Sequence, residues 1–153
     1  IGDESAMIRA VAAASLGRLG IKDTRPLLLA LTRDPDAHVR ANAAEGLLRL
    51  GDASAIVLAA ELARHPDPSI RGTAAQALSA SPDEQALTLL QSLLSDQQPL
   101  PRLSAAKALR KSNDRAIPIL VQGLRDTDEA VRIAAANSLL QQLAKQPASK
   151  RRR

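Results

Sequence analysis

The chain has 153 residues, long enough for one domain with a core, and contains no Phe, Tyr, Trp or Cys, one Met, and a 45% apolar share dominated by Ala and Leu. That composition excludes disulfides and thiolate metal sites, and it points to an all-α protein, because strands favour β-branched and aromatic residues while Ala, Leu, Arg, Gln and Glu favour helices. The net charge of +5 belongs to the end of the chain: Lys150, Arg151, Arg152 and Arg153 supply four of the 21 basic residues, and the other 17 face 16 acidic ones, so the body lacks the charge of a phosphate-binding groove.

No apolar run approaches the roughly 20 residues that cross a bilayer, and no stretch has the order of a signal peptide. A cytoplasmic location is the expectation, qualified by the start at Ile1 rather than Met, which leads us to expect a preceding segment.

In chain order, the first predicted helix carries Ile8-Arg9, Ala12-Ala13 and Leu16. The same frame returns at Val39-Arg40, Ile70-Arg71, Pro101-Arg102 and Val131-Arg132, at arginine spacings of 31, 31, 31 and 30. Each Arg is followed at +3 and +4 by Ala-Ala and at +7 by Leu, and offsets of −1, +3, +4 and +7 share one helical face. Between these A helices lie B helices with their own apolar columns, Leu27/Leu58/Leu89/Leu120, Leu28/Ala59/Leu90/Val121 and Leu31/Leu62/Leu93/Leu124. Ser5, Asp36, Asp67 and Asp128 stand four residues before their Arg, where an N-cap for each A helix belongs. Ser81-Pro82-Asp83-Glu84 reads as a capping box opening the third B helix, and Pro26 and Pro118 suit the first turns of theirs. Gln97-Gln98-Pro99-Leu100-Pro101 departs from the frame, so the fourth A helix is expected to start late after a longer loop near 95–100. The fifth has no B helix after it, and its polar Gln141, Gln142, Lys145 and Gln146 suit a terminal cap.

This pattern, fullest from Asp34 to Leu47, resembles the short HEAT repeats of the phycobilisome-lyase type over the chain up to about Lys145. The resemblance implies a right-handed α-solenoid of about five two-helix repeats, the last incomplete, over residues 1–146, with A helices on the convex side and B helices on the concave side. Residues 147–153 are expected to form a basic, disordered tail.

The five arginines lie inside the apolar stripe, where a charge needs a partner. Turn acids stand six residues before four of them, Asp3, Asp34, Asp96 and Asp126, with His65 in that place before Arg71. The ladder Arg9, Arg40, Arg71, Arg102 and Arg132 therefore reads as structural glue rather than an anion stripe. In proteins with the resembling repeats, such Asp and Arg residues link successive repeats.

Catalysis and cofactor binding find no support. The two histidines, His38 and His65, read as solvated and lack a second ligand at i+4, and no Gly-rich phosphate loop or nucleophile elbow occurs. A protein partner of unknown identity is expected, held by B-helix residues Arg33, Glu61, Arg64, Gln91, Gln122 and Arg125. The columns Arg33/Arg64/Ser95/Asp126 and Leu29/Ala60/Gln91/Gln122 line that surface. Nucleic-acid or anionic-surface binding, through the tail or the Lys107, Arg110 and Lys111 cluster, is the alternative, as is an accessory role beside a lyase-like enzyme. Val11 and Ala14 make the first helix unusually apolar, which suggests cover by upstream residues or self-association through that end.

Overall fold

The structure, a computed structural model, describes residues 3–145. The described residues form nine α-helices: α1 (Asp3–Leu19), α2 (Arg25–Leu31), α3 (Ala37–Arg49), α4 (Ile56–Leu62), α5 (Pro68–Leu78), α6 (Glu84–Leu94), α7 (Pro99–Ala108), α8 (Ala116–Gly123) and α9 (Glu129–Lys145). Odd-numbered helices are the A helices of the repeats and even-numbered ones the B helices. The most extensive packing runs α1 to α3, α3 to α5, α5 to α7 and α7 to α9, so the A helices form a continuous layer, and each B helix leans on the A helix after it. This is an α-solenoid, in which each helix pair buries its apolar stripe only against its neighbours.

The repeated frame becomes the core. Val39, Ile70, Pro101 and Val131 are buried at the −1 position, as are the +4 alanines 13, 44, 75 and 106 and the +7 leucines 47, 78 and 109. Alanine at +4 allows close approach, and glycine takes it further where α1 crosses α3. There a Cβ on Gly17 would overlap the Cα of Gly46, and one on Gly46 would meet the Leu28 side chain. Gly51, at φ 84°, supplies the left-handed residue that closes α3 and lets Asp52 N–H return to Leu47 C=O.

Several local expectations need correction. Helix α7 does not start late: it begins three residues before its Arg, as α3, α5 and α9 do. Pro99 fits the first helical position, and Asp96 accepts the Gln98 N–H as Asp34 accepts the Asp36 N–H, so the turn keeps its shape without a capping side chain. Asp36 and Asp67 cap as expected, and Asp128 accepts from Val131 N–H. Ser5 instead lies inside α1, where its hydroxyl accepts from Arg9. Ser81 is no N-cap either, since α6 starts at Glu84 and the Ser81 hydroxyl bonds Asp83. The B columns slip by one in the fourth repeat. Leu120, not Val121, is the fully buried partner of Leu28, Ala59 and Leu90. The turn between α7 and α8 is one residue shorter than its equivalents, which also explains the final arginine spacing of 30.

Helix α9 also departs from expectation. Gln142, expected as cap surface, is 1% exposed, and its amide donates to Leu109, Arg110 and Ser112 carbonyls at the end of α7. These acceptors lie where α7 tightens into a 3-10 turn at Leu109–Lys111, and Gln142 satisfies them together with the Ser112 N–H, which donates to Leu109 C=O, and Lys145 Nζ, which donates to Arg110 C=O. The tail 147–153 and the domain boundary at 146 lie outside the described residues.

Candidate binding surface

The arginine ladder sits in the turns that join B helices to A helices. Arg9 holds Asp34 with two bonds of 2.6 and 2.9 Å, Arg71 holds Asp96 at 2.7 and 2.8 Å, and Arg102 holds Asp126 at 2.9 and 2.9 Å. The paired carboxylate is thus in the next repeat, 24 or 25 residues on, not six residues before. The six-residue spacing has a different meaning. Nη1 of Arg40, Arg71, Arg102 and Arg132 donates to the backbone carbonyl at that position and to the one after it, as Arg71 does to His65 and Pro66 at 2.8 Å each. Arg71 and Arg102 therefore clamp their own turn with one edge and the next turn with the other, a bidentate geometry that lysine lacks. Arg71 and Asp96 side chains are 14% and 11% exposed, and Arg102 and Asp126 13% and 9%, so these two pairs present little surface to solvent.

The carboxylates are held as anions. Hydrogen bonds from Arg9 and Arg71 keep Asp34 and Asp96 below the ordinary carboxylate range. At Asp126 burial pushes upward, but the Arg102 bonds, the Asp128 N–H and the Arg102 charge together outweigh it and the net shift is down. A depressed folded pKa stabilises fully above the unfolded value of 3.8 and loses that stabilisation as pH falls through the folded value. Acid titration followed by far-UV circular dichroism is expected to show unfolding only below about pH 4, and Asp96→Asn to flatten that acid limb while lowering stability at neutral pH.

One link is missing. Opposite Arg40 the turn presents His65, and among the described residues no carboxylate is bonded to Arg40. His65 does half the work of an aspartate: its Nδ1 accepts the Asp67 N–H at 3.1 Å. The same junction has another tie, because His38 on α3 contacts Thr73 Oγ1 at 3.1 Å and Ser69 Oγ at 3.0 Å, both on α5. The expectation of a solvated His38 is therefore corrected, since its ring bridges two repeats. His65→Asp is expected to complete the ladder and raise stability by about 1 kcal/mol, read as a higher melting temperature.

The B-helix surface looks different. Arg33, Glu61, Arg64, Gln91, Gln122 and Arg125 are all exposed. Gln91 and Gln122 meet in a depression of about 400 Å³ between α6 and α8, rimmed by Thr88, Pro118 and the Glu84–Arg115 ion pair at 2.8 Å. Gln122 and Arg125 share a smaller one with Leu94. The corrected register changes the columns: Asp126 belongs to the ladder, and its place beside Arg33, Arg64 and Ser95 is taken by Arg125. Each of these four residues immediately precedes its turn's ladder position, and none of the three arginines has an ion pair among the described residues. The second column keeps Leu29, Ala60 and Gln91 and takes Val121 as its fourth member, and Gln122 joins Ala30, Glu61 and Ser92.

On the A layer, α9 packs less extensively on α7 than α7 does on α5. The cause is in the +1 column, where Ala41 and Gly72 give way to Leu103. The result is a groove of about 760 Å³ floored by Leu103, Ala130, Ile133 and Ala134, with Lys107 and Arg110 at its edge. Lys107, Arg110 and Lys111 do cluster, beside Gln76 and Ser79. Burial, reinforced by the nearby Arg49, pushes the Lys111 ammonium down. Among the described residues no group of three His, Asp or Glu side chains could hold a metal, and no helix is long and apolar enough to cross a membrane.

The family model for HEAT repeats matches residues 1–60, 34–110 and 57–141, overlapping along the chain. The chain belongs to the HEAT-repeat family. Among solved structures, the complex of CpcE and CpcF of phycocyanin lyase from Nostoc sp. PCC7120 is similar, at a TM-score of 0.64 and 25% identity over 99% of this chain and 70% of that one. A search of the curated proteins finds no match. What sequence reasoning missed in these HEAT repeats is the one-residue deletion before α8. Its signal was the spacing of 30 between Arg102 and Arg132, which moves Arg125 into the column of Arg33 and Arg64.

Proposed function

We propose that this HEAT-repeat chain is a non-catalytic adaptor that binds a protein partner along its B-helix surface, and that the partner presents carboxylates to Arg33, Arg64 and Arg125. The observation that supports this is the arginine column itself. The A-layer ladder spends its arginines on internal ties, whereas these three stand exposed, one per repeat in three of four turns, with no ion pair of their own. Arginine is also the one hot-spot residue type that this aromatic-free chain can offer. Gln91, Gln122 and Glu61 flank the column and would supply polar contacts. An accessory role beside a lyase-like enzyme is one form of this reading, supported by the likeness to a two-subunit lyase complex. The apolar first helix adds a second surface for association.

Fluorescence anisotropy with labelled Glu- and Asp-rich peptides tests the proposal. Reversing all three charges (Arg33→Glu, Arg64→Glu, Arg125→Glu) is expected to weaken binding by about tenfold or more at low salt without moving the melting temperature. Equal binding by this variant would overturn the reading. Retention of a single-stranded oligonucleotide that disappears on deleting residues 147–153 would instead favour the anion-binding alternative through the tail.

A further inference from the structure

Along the A layer, the fifth and ninth residues after the ladder arginine stand about one turn apart. At the end of α3 these are Glu45 and Arg49, which neutralise each other through two hydrogen bonds from the guanidinium. At the end of α7 they are Lys107 and Lys111, with Arg110 between them in sequence. Like charges at such spacings repel and weaken a helix. Cations do favour the negative end of a helix dipole, but at this end the carbonyls of Leu109, Arg110 and Ser112 already accept from Gln142 and Lys145.

The three cations converge. With Gln76, Ser79 and Ser104 they line one depression of about 280 Å³ between α5 and α7. Lys111 Nζ lies 3.5 Å from Ser79 Oγ, which places the ammonium against the end of α5. Among the described residues, none of the three is ion-paired with a carboxylate. Glu45, the nearby acid, is 7% exposed and already held by Arg49. Burial first, then the Arg49 and Arg110 charges, push the Lys111 ammonium down against the pull of Glu45. The charges of the body nearly cancel as a sum, yet this depression gathers cations and has no acid in its lining.

We infer that the depression between α5 and α7 binds one phosphomonoester group, with Lys107, Arg110 and Lys111 around its oxygens and Gln76 and Ser104 as neutral donors. Such a group puts nearly two negative charges and three acceptor oxygens on one tetrahedral centre, which suits a compact cluster of cations. A nucleic-acid strand instead calls for a charged track and aromatic side chains on which bases stack, and this chain has no aromatic residue. The site shares no residue with the Arg33, Arg64 and Arg125 column, so it stands or falls independently of the adaptor function.

Isothermal titration calorimetry with the full chain at low salt is the test. The probes are a neutral pentapeptide carrying one phosphoserine, a peptide of equal charge carrying two glutamates instead, and inorganic phosphate. The phosphopeptide is expected to bind at least about tenfold more tightly than the glutamate peptide, and inorganic phosphate to compete with it. Tighter binding of the phosphopeptide than of inorganic phosphate assigns the site to a phosphorylated side chain, and equal binding to a free phosphomonoester. Lys107→Glu and Lys111→Gln are each expected to weaken binding at least about tenfold without lowering the melting temperature, since both side chains are exposed and each change relieves repulsion. Reversing Arg33, Arg64 and Arg125 should leave this binding unchanged. Equal binding of the glutamate peptide would overturn the inference. So would phosphopeptide binding that survives Lys107→Glu, or retention of a single-stranded oligonucleotide with no binding of the phosphopeptide.

Discussion

Arg71→Ala is expected to melt about 5–10 °C below the parent, corresponding to about 2–3 kcal/mol, while Arg40→Ala loses less than half as much. The Arg71 side chain makes four hydrogen bonds, two to Asp96 and two to the His65 and Pro66 carbonyls. Removing it leaves a largely covered carboxylate and two carbonyls without their donor, and the cost of unpaired groups exceeds the net gain of forming the pair. Arg40 makes only the carbonyl bonds, so its removal strands no charge. Thermal melts at 222 nm for both variants are the check, since the chain has no aromatic residue to report otherwise. Equal losses would mean that the carboxylate link contributes nothing beyond the turn clamp. The comparison also separates glue from binding: Arg71→Ala should leave acidic-peptide affinity of the folded protein unchanged.

Gly17→Ala is the second large effect, at about 3 kcal/mol. The new methyl would overlap backbone, the Cα of Gly46, so no side-chain rotation relieves it and α1 must move away from α3. That displacement would uncover Ala13 and Leu28, both fully buried, and hydrogen exchange should show α1 opening before the rest of the chain. Gly72→Ala is the control. There the nearest atom is the movable Ser104 hydroxyl at 3.0 Å, and a loss several times smaller is expected.

The architecture was legible because a solenoid writes its contacts into its period. The −1, +3, +4 and +7 columns fell where the structure buries them in α3, α5 and α7, whereas α1 leaves Ile8 and Ala12 exposed. What the residues alone could not show was direction. An Arg on a helix can reach back six residues or forward one repeat, and the spacing is the same for both; only the stacking of one pair on the next decides that the carbonyls lie behind and the carboxylate ahead. Gln142 was misplaced for a related reason. A lone polar residue in an Ala-rich helix looks solvated, and the carbonyls it satisfies arise from the 3-10 ending of a helix more than thirty residues earlier. The B-helix surface was half legible: its six residues are exposed as expected, but the short turn before α8 concealed that Arg125 is the third arginine of the column.

The junction between α3 and α5 stands apart from the other ties. Three junctions of the A layer are fastened by an anion and a cation, and this one by hydrogen bonds between the His38 ring and two hydroxyls. Charged fasteners resist shear along the stack until they break, whereas hydroxyl contacts slide and re-form at little cost. The middle of the molecule is therefore its compliant point: pulled from its ends, the rod should bend and part first between residues 49 and 68, leaving two stiffer half-springs that can each adjust their pitch to what they hold.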